Sequence, residues 1–429
     1  MRPIKIVNGR VITPYRVLPN AALLLSGGAI TAVEEQPVGE QPARAPNTAA
    51  PSFTATPGPL ATTRPTNTPD ALIIDAAGLY VSPGFIDLHV HGGGGHDFMD
   101  GTEEAFHAIA QLHARHGTTA MTPTTLSAGK QQLLATLETY EQVARQRAGG
   151  AQFIGMHLEG PYFAMNQRGA QDPRYIRNPD PAEYRELTTR FPSIRRWSVA
   201  PELPGALEMA AHLKEKGILA AWAHTDALYD DILKAFQHGY THATHLYSAM
   251  LGVTRRGAAR FAGAIEAAFL IDEMTVEIIA DGIHLPPPLL QLVCRIKGPG
   301  RIALITDAMR GTGMPPGESI LGGKENGLPV IIEDGVAKLP DRSAFAGSVA
   351  TADRLVRNML TLAGQPITDA VRMMTHTPAA IMGIAGRKGS IQTGHDADII
   401  IFDENIDIHY TIIGGEIAYS KQEELHANR

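Results

Sequence analysis

The sequence predicts an α/β protein in which a (β/α)8 barrel lies beside a small β domain built from both ends of the chain. First, apolar strand-like runs alternate with amphipathic helical runs between residues 81 and 385. Such alternation predicts parallel strands with helical crossovers, and its length and regularity favour a closed barrel. Second, short β-type runs without helices occupy both ends of the chain. Third, 44% of the 429 residues are hydrophobic, which is enough to fill a large core.

The amino-terminal segment, residues 1–80, is predicted to form one part of the small β domain. Its β-type runs are separated by Asn-Gly and Ser-Gly-Gly turn signals, and they are Ile4–Val7, Val11–Thr13, Ala21–Leu25 and Leu72–Asp75. Within this segment, residues 37–70 contain eight prolines in thirty-four residues, with alanine and threonine filling most of the rest. A stretch of this composition buries little surface, so we expect a disordered or extended surface insertion.

The central segment, residues 81–385, supplies the alternating elements of the barrel. Its predicted strands include Ala120–Pro123, Phe153–Leu158, Leu219–His224, His242–His245, Thr275–Ala280 and Arg301–Thr306. Its predicted helices include Glu103–His116, Lys130–Gln146, Ala206–Lys216 and Asp230–His238. The last segment, residues 386–429, returns to short strands at Gly389–Ile391, Ala397–Asp403 and Ile408–Ile413. We expect this segment to complete the small β domain.

Charge and cysteine content exclude several classes of protein. The 37 basic residues against 44 acidic ones give a net charge of −7, which argues against general affinity for nucleic acid or acidic lipid. A local basic site for one phosphate stays possible. The single cysteine, Cys294, excludes an internal disulfide. Neither a signal peptide nor a run of about 20 apolar residues is found, so we expect a cytoplasmic protein without a membrane anchor.

The strongest local signal is the pair His89 and His91, which is followed by four glycines. Side chains two residues apart on a strand point the same way, so both imidazoles are predicted to project together. Similar polar residues end other strands, and these are Glu159, His224, His245 and Asp307. A lone histidine at a strand end is more often a hydrogen-bonded loop residue. However, the carboxyl ends of barrel strands are where such enzymes hold their reactive groups, and nitrogen and oxygen donors suit Zn2+ or Fe2+.

Six motifs carry a resemblance to a known family: HVH after PGFID, HLEGPYF, AHTDA, THLYSAM, DGIHLPP and ITDAM. They are similar to motifs of the amidohydrolase superfamily, and within it to those of the N-acetylglucosamine-6-phosphate deacetylases. The resemblance implies a TIM barrel of the metal-dependent type with a small β-sandwich domain. It also implies that Glu159, His224 and His245 hold one divalent ion. His89 and His91 would complete a second site, and Asp307 would act as the catalytic acid and base.

The resemblance assigns further residues to the substrate. Those predicted to contact it are Ala170, Gln171, Ser248, Ala249, Arg256, His284, Phe345, Ala346 and Gly347. Among them Arg256 takes the place of a phosphate-binding arginine, and residues 345–347 that of a loop closing over the substrate. Two departures from the family pattern concern the sugar: Gln171 stands where histidine is common, and Ser248 stands where asparagine is usual. Gln171 is interpreted as polarising the acetamide oxygen.

The predicted reaction is hydrolysis of a linear amide: removal of the acetyl group from N-acetylglucosamine 6-phosphate, giving glucosamine 6-phosphate and acetate. The expected partners are this small phosphorylated amino sugar and, from the resemblance, a second copy of the chain in a homodimer. Gln171 and Ser248 keep open a related enzyme that acts on a galacto-configured or unphosphorylated N-acyl sugar. A non-catalytic binding barrel is the remaining alternative, although the complete set of metal ligands and Asp307 argue against it.

Overall fold

The structure is a computed structural model that describes residues 2–35, 70–146 and 149–427. Apart from Asp70, the predicted insertion 37–70 lies outside the described residues. The strands are β1 (Ile4–Ile12), β2 (Val17–Ser26), β3 (Ala29–Glu35), β4 (Leu72–Asp75), β5 (Tyr80–Pro83), β6 (Phe85–Val90), β7 (Gly92–Gly93), β8 (His96–Asp97), β9 (Thr118–Pro123), β10 (Gln152–Phe153), β11 (Met156–Glu159), β12 (Ile194–Val199), β13 (Leu219–Trp222), β14 (Tyr240–Ala243), β15 (Thr254–Arg256), β16 (Ala259–Phe261), β17 (Thr275–Ile278), β18 (Ile302–Leu304), β19 (Gly317–Leu321), β20 (Leu328–Glu333), β21 (Val336–Lys338), β22 (Phe345–Ser348), β23 (Ile399–Phe402), β24 (Ile408–Ile413) and β25 (Glu416–Ser420).

The helices lie mainly between the parallel strands. They are α1 (Glu103–Arg115), α2 (Lys130–Val143), α3 (Pro181–Arg190), α4 (Ala206–Glu215), α5 (Tyr229–His238), α6 (Ala264–Leu270), α7 (Pro287–Lys297), α8 (Ala352–Thr361), α9 (Ile367–Met373), α10 (His376–Ile381) and α11 (Lys421–Ala427). Within the described ranges, no helix is long and apolar enough to cross a membrane.

The parallel strands form an α/β fold of the TIM-barrel type. Strands β11, β12, β13, β14, β17 and β18 pair in that order in one sheet, and β6 pairs with β9 in another. Single parallel bridges join the edges of the two sheets, from Thr124 to His157 and from Val90 to Ala308. The carboxyl ends of these strands therefore meet around one opening, where the predicted ligands lie.

Local sequence explains why the helices form where they do. Helix α1 begins after Thr102, whose hydroxyl accepts a hydrogen bond from the Ala105 N–H. This contact satisfies one of the backbone donors that a helix start leaves free. Residues Phe106 and Ile109 are buried at helical spacing on the face toward the core. The large apolar cluster built from such faces holds the barrel strands in place beneath the opening.

Both ends of the chain join in one eight-stranded sheet. Its order is β25–β24–β23–β5–β1–β2–β3, and β4 pairs with β1. This sheet encloses an apolar cluster of its own that includes Ile6, Leu23, Val81 and Ile399. Because β23 pairs with β5, the carboxyl-terminal segment is joined to the strand that leads into the barrel.

Several predicted elements differ from the structure. Residues Gly389–Ile391 do not form a strand, because Gly389 turns the chain at φ +79° against the backbone of Thr375. The predicted strand Phe153–Leu158 is broken at Gly155, which has φ +126°. Conversely, the Asn8-Gly9 turn signal lies inside the single strand β1, where the pairing register shifts. The antiparallel sheet β19–β22 was absent from the prediction.

Candidate active site

The carboxyl ends of the barrel strands surround a cavity of about 370 Å³. Six polar side chains, five of which line this cavity while His89 lies behind them, form what we call the upper layer: His89, His91, Glu159, His224, His245 and Asp307. All six are at least nine-tenths buried. The predicted strand-end residues are therefore brought together in one place.

Glu159, His224 and His245 form the first group within the upper layer. The Glu159 Oε1 atom lies 3.0 Å from His245 Nε2 and 3.4 Å from His224 Nε2. The His224 Nδ1–H donates to the Gln167 carbonyl at 2.7 Å, which leaves Nε2 free to face the carboxylate. A hydrogen bond of this kind on the outer nitrogen is how proteins fix a metal-binding histidine.

His89, His91 and Glu159 form the second group, so Glu159 is shared by both. The Nε2 atoms of His89 and His91 are 3.1 Å apart. His91 Nε2 lies 3.4 Å from Glu159 Oε2 and 3.2 Å from Asp307 Oδ1. His89 Nε2 lies 3.4 Å from the same Asp307 oxygen. The acid and the two groups therefore converge on one small volume.

This convergence perturbs the ionisation of the layer. Burial alone would lower the pKa of His91, but Asp307 and Glu159 outweigh it and raise that pKa to about 9. Burial alone would raise the pKa of Glu159, but the surrounding histidines hold it well below its usual range. The pKa of Asp307 is likewise lowered, because His89 and His91 outweigh the effect of burial. Without a bound cation, His91 supplies positive charge beside the two carboxylates.

The donor set fits a divalent cation. Within each of the two groups, the possible ligand atoms lie within 4.8 Å of one another. Two atoms bound tetrahedrally to one zinc ion at about 2.0–2.1 Å are roughly 3.3 Å apart, close to the 3.0–3.5 Å separations seen here. The Nε2 atoms of His89 and His91, 3.1 Å apart, are also close enough to bind one ion together. Imidazole and carboxylate donors without thiolate suit first-row divalent ions.

The backbone at these positions is strained. His224, His245 and Asp307 each follow a barrel strand and have φ values of 47°, 30° and 48°. Residues other than glycine rarely adopt this left-handed conformation, which costs on the order of 1–3 kcal/mol each. Strain of this kind persists where the surroundings impose it, and it clusters at functional sites. Here it turns three side chains of the upper layer toward the cavity.

The structure places some of the predicted substrate residues in the cavity and others outside it. Seven of them line the cavity: Ala170, Gln171, Ser248, Ala249, His284, Phe345 and Gly347. Ala346 does not, because it is fully buried in an apolar cluster behind β22. Arg256 does not either, because it lies exposed on the β15–β16 hairpin, with its guanidinium 5.3 Å from the Phe261 ring centroid. No Lys or Arg lines the described part of the cavity.

His284 and Phe345 form one wall of the cavity. The His284 Nδ1–H donates to Asp281 Oδ2 at 2.7 Å, and the same carboxylate accepts from the Ile283 and His284 backbone N–H groups. The Phe345 ring centroid lies 4.5 Å from that of His284. Phe345 is 41% exposed, so an aromatic face is presented at the cavity rim.

A second set of polar residues lies toward the amino ends of the same strands, and sequence analysis did not assign it a role. This lower layer consists of His157, Arg196, His242 and Glu277, all fully buried. Arg196 binds both oxygens of Glu277, and its guanidinium also donates to Thr244 Oγ1 and to the Leu88 carbonyl. His89 Nδ1 lies 3.7 Å from Glu277 Oε2, directly above. The available signal was a charged residue inside an apolar strand, as at Arg196 and Glu277.

An α/β fold of this type, with a His/Glu/Asp cluster at the carboxyl ends of its strands, defines a class of metal-dependent hydrolases. The sequence profile of the Amidohydrolase family matches residues 80–418. The chain therefore belongs to the amidohydrolase family.

Individual relatives narrow the comparison. The N-acetylglucosamine-6-phosphate deacetylase of Lysinibacillus sphaericus is 32% identical over 354 residues, which cover 80% of this chain and 87% of that protein. The N-acetylgalactosamine-6-phosphate deacetylase of Escherichia coli O157:H7 is 34% identical over 78% of this chain and 87% of its own length. Among solved structures, an N-acetyl-D-glucosamine-6-phosphate deacetylase mutant from Mycobacterium smegmatis, in complex with N-acetyl-D-glucosamine-6-phosphate, is similar with a TM-score of 0.83. It has 28% identity, and the match covers 98% of this chain and 100% of that one.

Proposed function

We propose that this protein removes the acetyl group from N-acetylglucosamine 6-phosphate by metal-dependent hydrolysis, giving glucosamine 6-phosphate and acetate. The observation that carries the proposal is the upper layer, in which two metal-binding groups share Glu159 and meet Asp307 at the base of one cavity. Relatives that act on amino-sugar 6-phosphates match most of the chain. A cytoplasmic location fits this proposal, because a sugar phosphate is charged and does not cross a bilayer unaided.

One or two divalent ions, Zn2+ or Fe2+, would be held by this chain. Glu159, His224 and His245 would hold the first ion, and His89 and His91 would complete a second site with Glu159. A bound divalent ion supplies Lewis acidity, which polarises an amide carbonyl and makes a water molecule a nucleophile near neutral pH. The chain itself keeps bulk solvent away from the reacting groups, because the upper layer is at least nine-tenths buried.

Asp307 is proposed as the acid and base. Its carboxylate faces His91 and His89, and the lowered pKa keeps it ionised at neutral pH. It would accept the proton of the attacking water and then deliver that proton to the amine nitrogen, because an amine anion cannot leave at this pH. The Asp307 carboxylate would take up one proton in the first step and release it in the second, so it returns to its ionised form after each turnover.

The sugar would lie against the wall formed by His284 and Phe345. The Asp281 carboxylate fixes the His284 ring, so that Nε2 faces the cavity as a polar contact. Ser248 and Ala249 also line the cavity. We keep Arg256 as the proposed phosphate contact, carried by the β15–β16 hairpin, and the homodimer as the proposed assembly.

On architecture we propose that the eight parallel strands act as one closed (β/α)8 barrel spanning residues 81–385. The bridges at Thr124–His157 and Val90–Ala308 support closure. The sheet made by residues 1–80 and 386–429 would then correspond to the small β-sandwich of the family.

A second candidate is deacetylation of the galacto-configured sugar phosphate. It is favoured by the Escherichia coli relative, which is 34% identical, and by Gln171 and Ser248 in the cavity lining. The two sugars differ at one hydroxyl, and discrimination at such a position requires a matched hydrogen-bonding group.

The test is acetate release from N-acetylglucosamine 6-phosphate, N-acetylgalactosamine 6-phosphate and free N-acetylglucosamine, measured side by side with metal content. We expect the highest kcat/KM for N-acetylglucosamine 6-phosphate. A higher value for the galacto sugar would favour the second candidate. Release from none of the three by metal-loaded protein would overturn both.

A further inference from the structure

Gln171 makes contacts that its interpretation as a substrate residue does not explain. Its side-chain Oε1 accepts a hydrogen bond from the Ser127 backbone N–H at 2.8 Å, and its Nε2 donates to Glu159 Oε2 at 2.7 Å. Gln171 is only 5% exposed. Because a backbone N–H can only donate, the Ser127 contact assigns which end of the amide is oxygen. The direction of the bond to Glu159 is therefore fixed.

The hydrogen bond falls on one particular oxygen of Glu159. Oε2 is the oxygen nearer to His91, at 3.4 Å. Oε1 faces His245 and His224 and also lies 3.5 Å from His89 Nε2. The terminal torsion of a glutamate side chain is broad and has no strong preference of its own. An outside contact is needed if Oε2 is to stay toward His91 while Oε1 stays toward the other three histidines.

The two partners of Gln171 lie on segments that pack against each other. Ser127 belongs to the segment after β9, and Gly160 follows Glu159 directly. A Cβ atom at Gly160 would lie 2.4 Å from Ser127 Oγ, so the two segments are in direct contact. Gln171 thus connects the backbone at the end of β9 to the carboxylate at the end of β11.

We propose that Gln171 is a positioning residue that holds the Glu159 carboxylate with Oε2 toward His91 and Oε1 toward the other three histidines of the upper layer. The inference rests on the proposed function, because it requires Glu159 to be a metal ligand. One Nε2 hydrogen of Gln171 is donated to Glu159. Gln171 therefore orients this proposed metal ligand whether or not substrate is present.

The experiment measures Zn2+ affinity of the metal-free protein by competition with a chromophoric chelator. Gln171→Asn is one methylene too short to span Ser127 and Glu159, and Gln171→Met has the length but no donor. Removing a contact that orients a metal ligand typically weakens metal binding by about 10–100-fold. We expect a loss in that range for both variants, with the far-UV circular dichroism of the metal-free protein unchanged. The matched control is Gln291→Met, because Gln291 donates to the Leu362 carbonyl on the outside of the barrel.

The outcomes separate two claims. If the unaltered protein takes up no Zn2+, the proposed metal centre itself fails, and the role of Gln171 fails with it. If the unaltered protein binds Zn2+ and both Gln171 variants bind it equally well, only the positioning role is overturned. A rise in KM for the sugar with unchanged metal affinity would also overturn it, in favour of direct substrate contact. If Gln171→Met does not fold, Gln171→Asn alone decides.

Discussion

The upper and lower polar layers of the barrel are built from similar residues, but the negative charge of their buried carboxylates is compensated in different ways. In the lower layer, burial alone would raise the pKa of Glu277, but Arg196 outweighs it, and the pKa lies well below the usual range. This layer contains its own permanent cation. The upper layer has two carboxylates and four histidines, and no Lys or Arg lines the described part of its cavity. Because its positive charge comes from a histidine that can lose its proton and not from a permanent cation, a bound divalent ion can take over that role.

The largest expected effect comes from Asp307, which we propose as the acid and base and which lies outside both candidate metal groups. We expect Asp307→Asn to lower kcat by about 10²–10⁴-fold while metal content stays the same, because proton transfer to and from the reacting groups is lost. Steady-state acetate release and metal analysis on one sample measure this. Asp334→Asn, which removes an exposed carboxylate from the β20–β21 turn, controls for the change in charge. Substantial turnover by Asp307→Asn would show that the role is misassigned.

The lower layer is expected to be structural. Arg196→Met leaves the Glu277 carboxylate buried without its partner, and breaking a buried pair in this way costs about 3–5 kcal/mol of unfolding free energy. The double variant Arg196→Met/Glu277→Leu removes both charges and should recover most of that loss. Urea unfolding of the metal-free proteins measures both values. Equal stability of the single and double variants would contradict this account of the layer.

The sequence predicts the upper layer better than the lower layer. His89, His91, Glu159, His224, His245 and Asp307 could be found because each ends an apolar run, and parallel strands bring their ends together. Arg196 and Glu277 could not be paired from sequence, because they lie on β12 and β17, and two other strands, β13 and β14, lie between these in the sheet. The helix and strand order was predictable from periodicity. The strand at Gly389–Ile391 was wrong because Gly389 adopts a turn that composition does not reveal.

Buried histidines in different parts of the structure have pKa values shifted in opposite directions. Their effects on stability therefore appear at different pH values. The pKa of His91 is raised by acids, whereas burial lowers the pKa of His113 from 6.5 to about 4. His113 donates to the Gly92 carbonyl, beside the His91 turn. As pH falls, His113 is protonated in the unfolded chain near pH 6.5 but in the folded protein only near pH 4. The contribution of the neutral, buried His113 to stability is therefore present above pH 6.5 and is lost as pH falls toward 4. The full loss is about 3 kcal/mol.

Unfolding free energies of the metal-free protein between pH 4 and pH 7 test this. We expect His113→Gln to reduce the pH dependence over that interval, relative to the unaltered protein. The same substitution at the exposed His238 of α5 is the control. An unchanged slope for His113→Gln would show that other groups produce the acid sensitivity.

The smallest expected effect concerns Arg256, which lies outside both layers. Because it is exposed, we expect Arg256→Ala to raise KM for the phosphorylated sugar by about tenfold, equivalent to roughly 1.4 kcal/mol. KM for free N-acetylglucosamine should not change. Arg260→Ala, on the same hairpin, is the matched control. If Arg256→Ala keeps the full preference for the phosphorylated sugar, the phosphate is held elsewhere.

The most direct test of the central claim is to add Zn2+ stepwise to metal-free protein and follow bound metal and acetate release from N-acetylglucosamine 6-phosphate together. We expect negligible release without metal, and activity that rises with the bound ion up to one or two ions per chain. Glu159→Gln should bind Zn2+ weakly and stay inactive, because both groups of the upper layer share that carboxylate. Full turnover by the metal-free protein, or unaltered metal binding by Glu159→Gln, would contradict this claim.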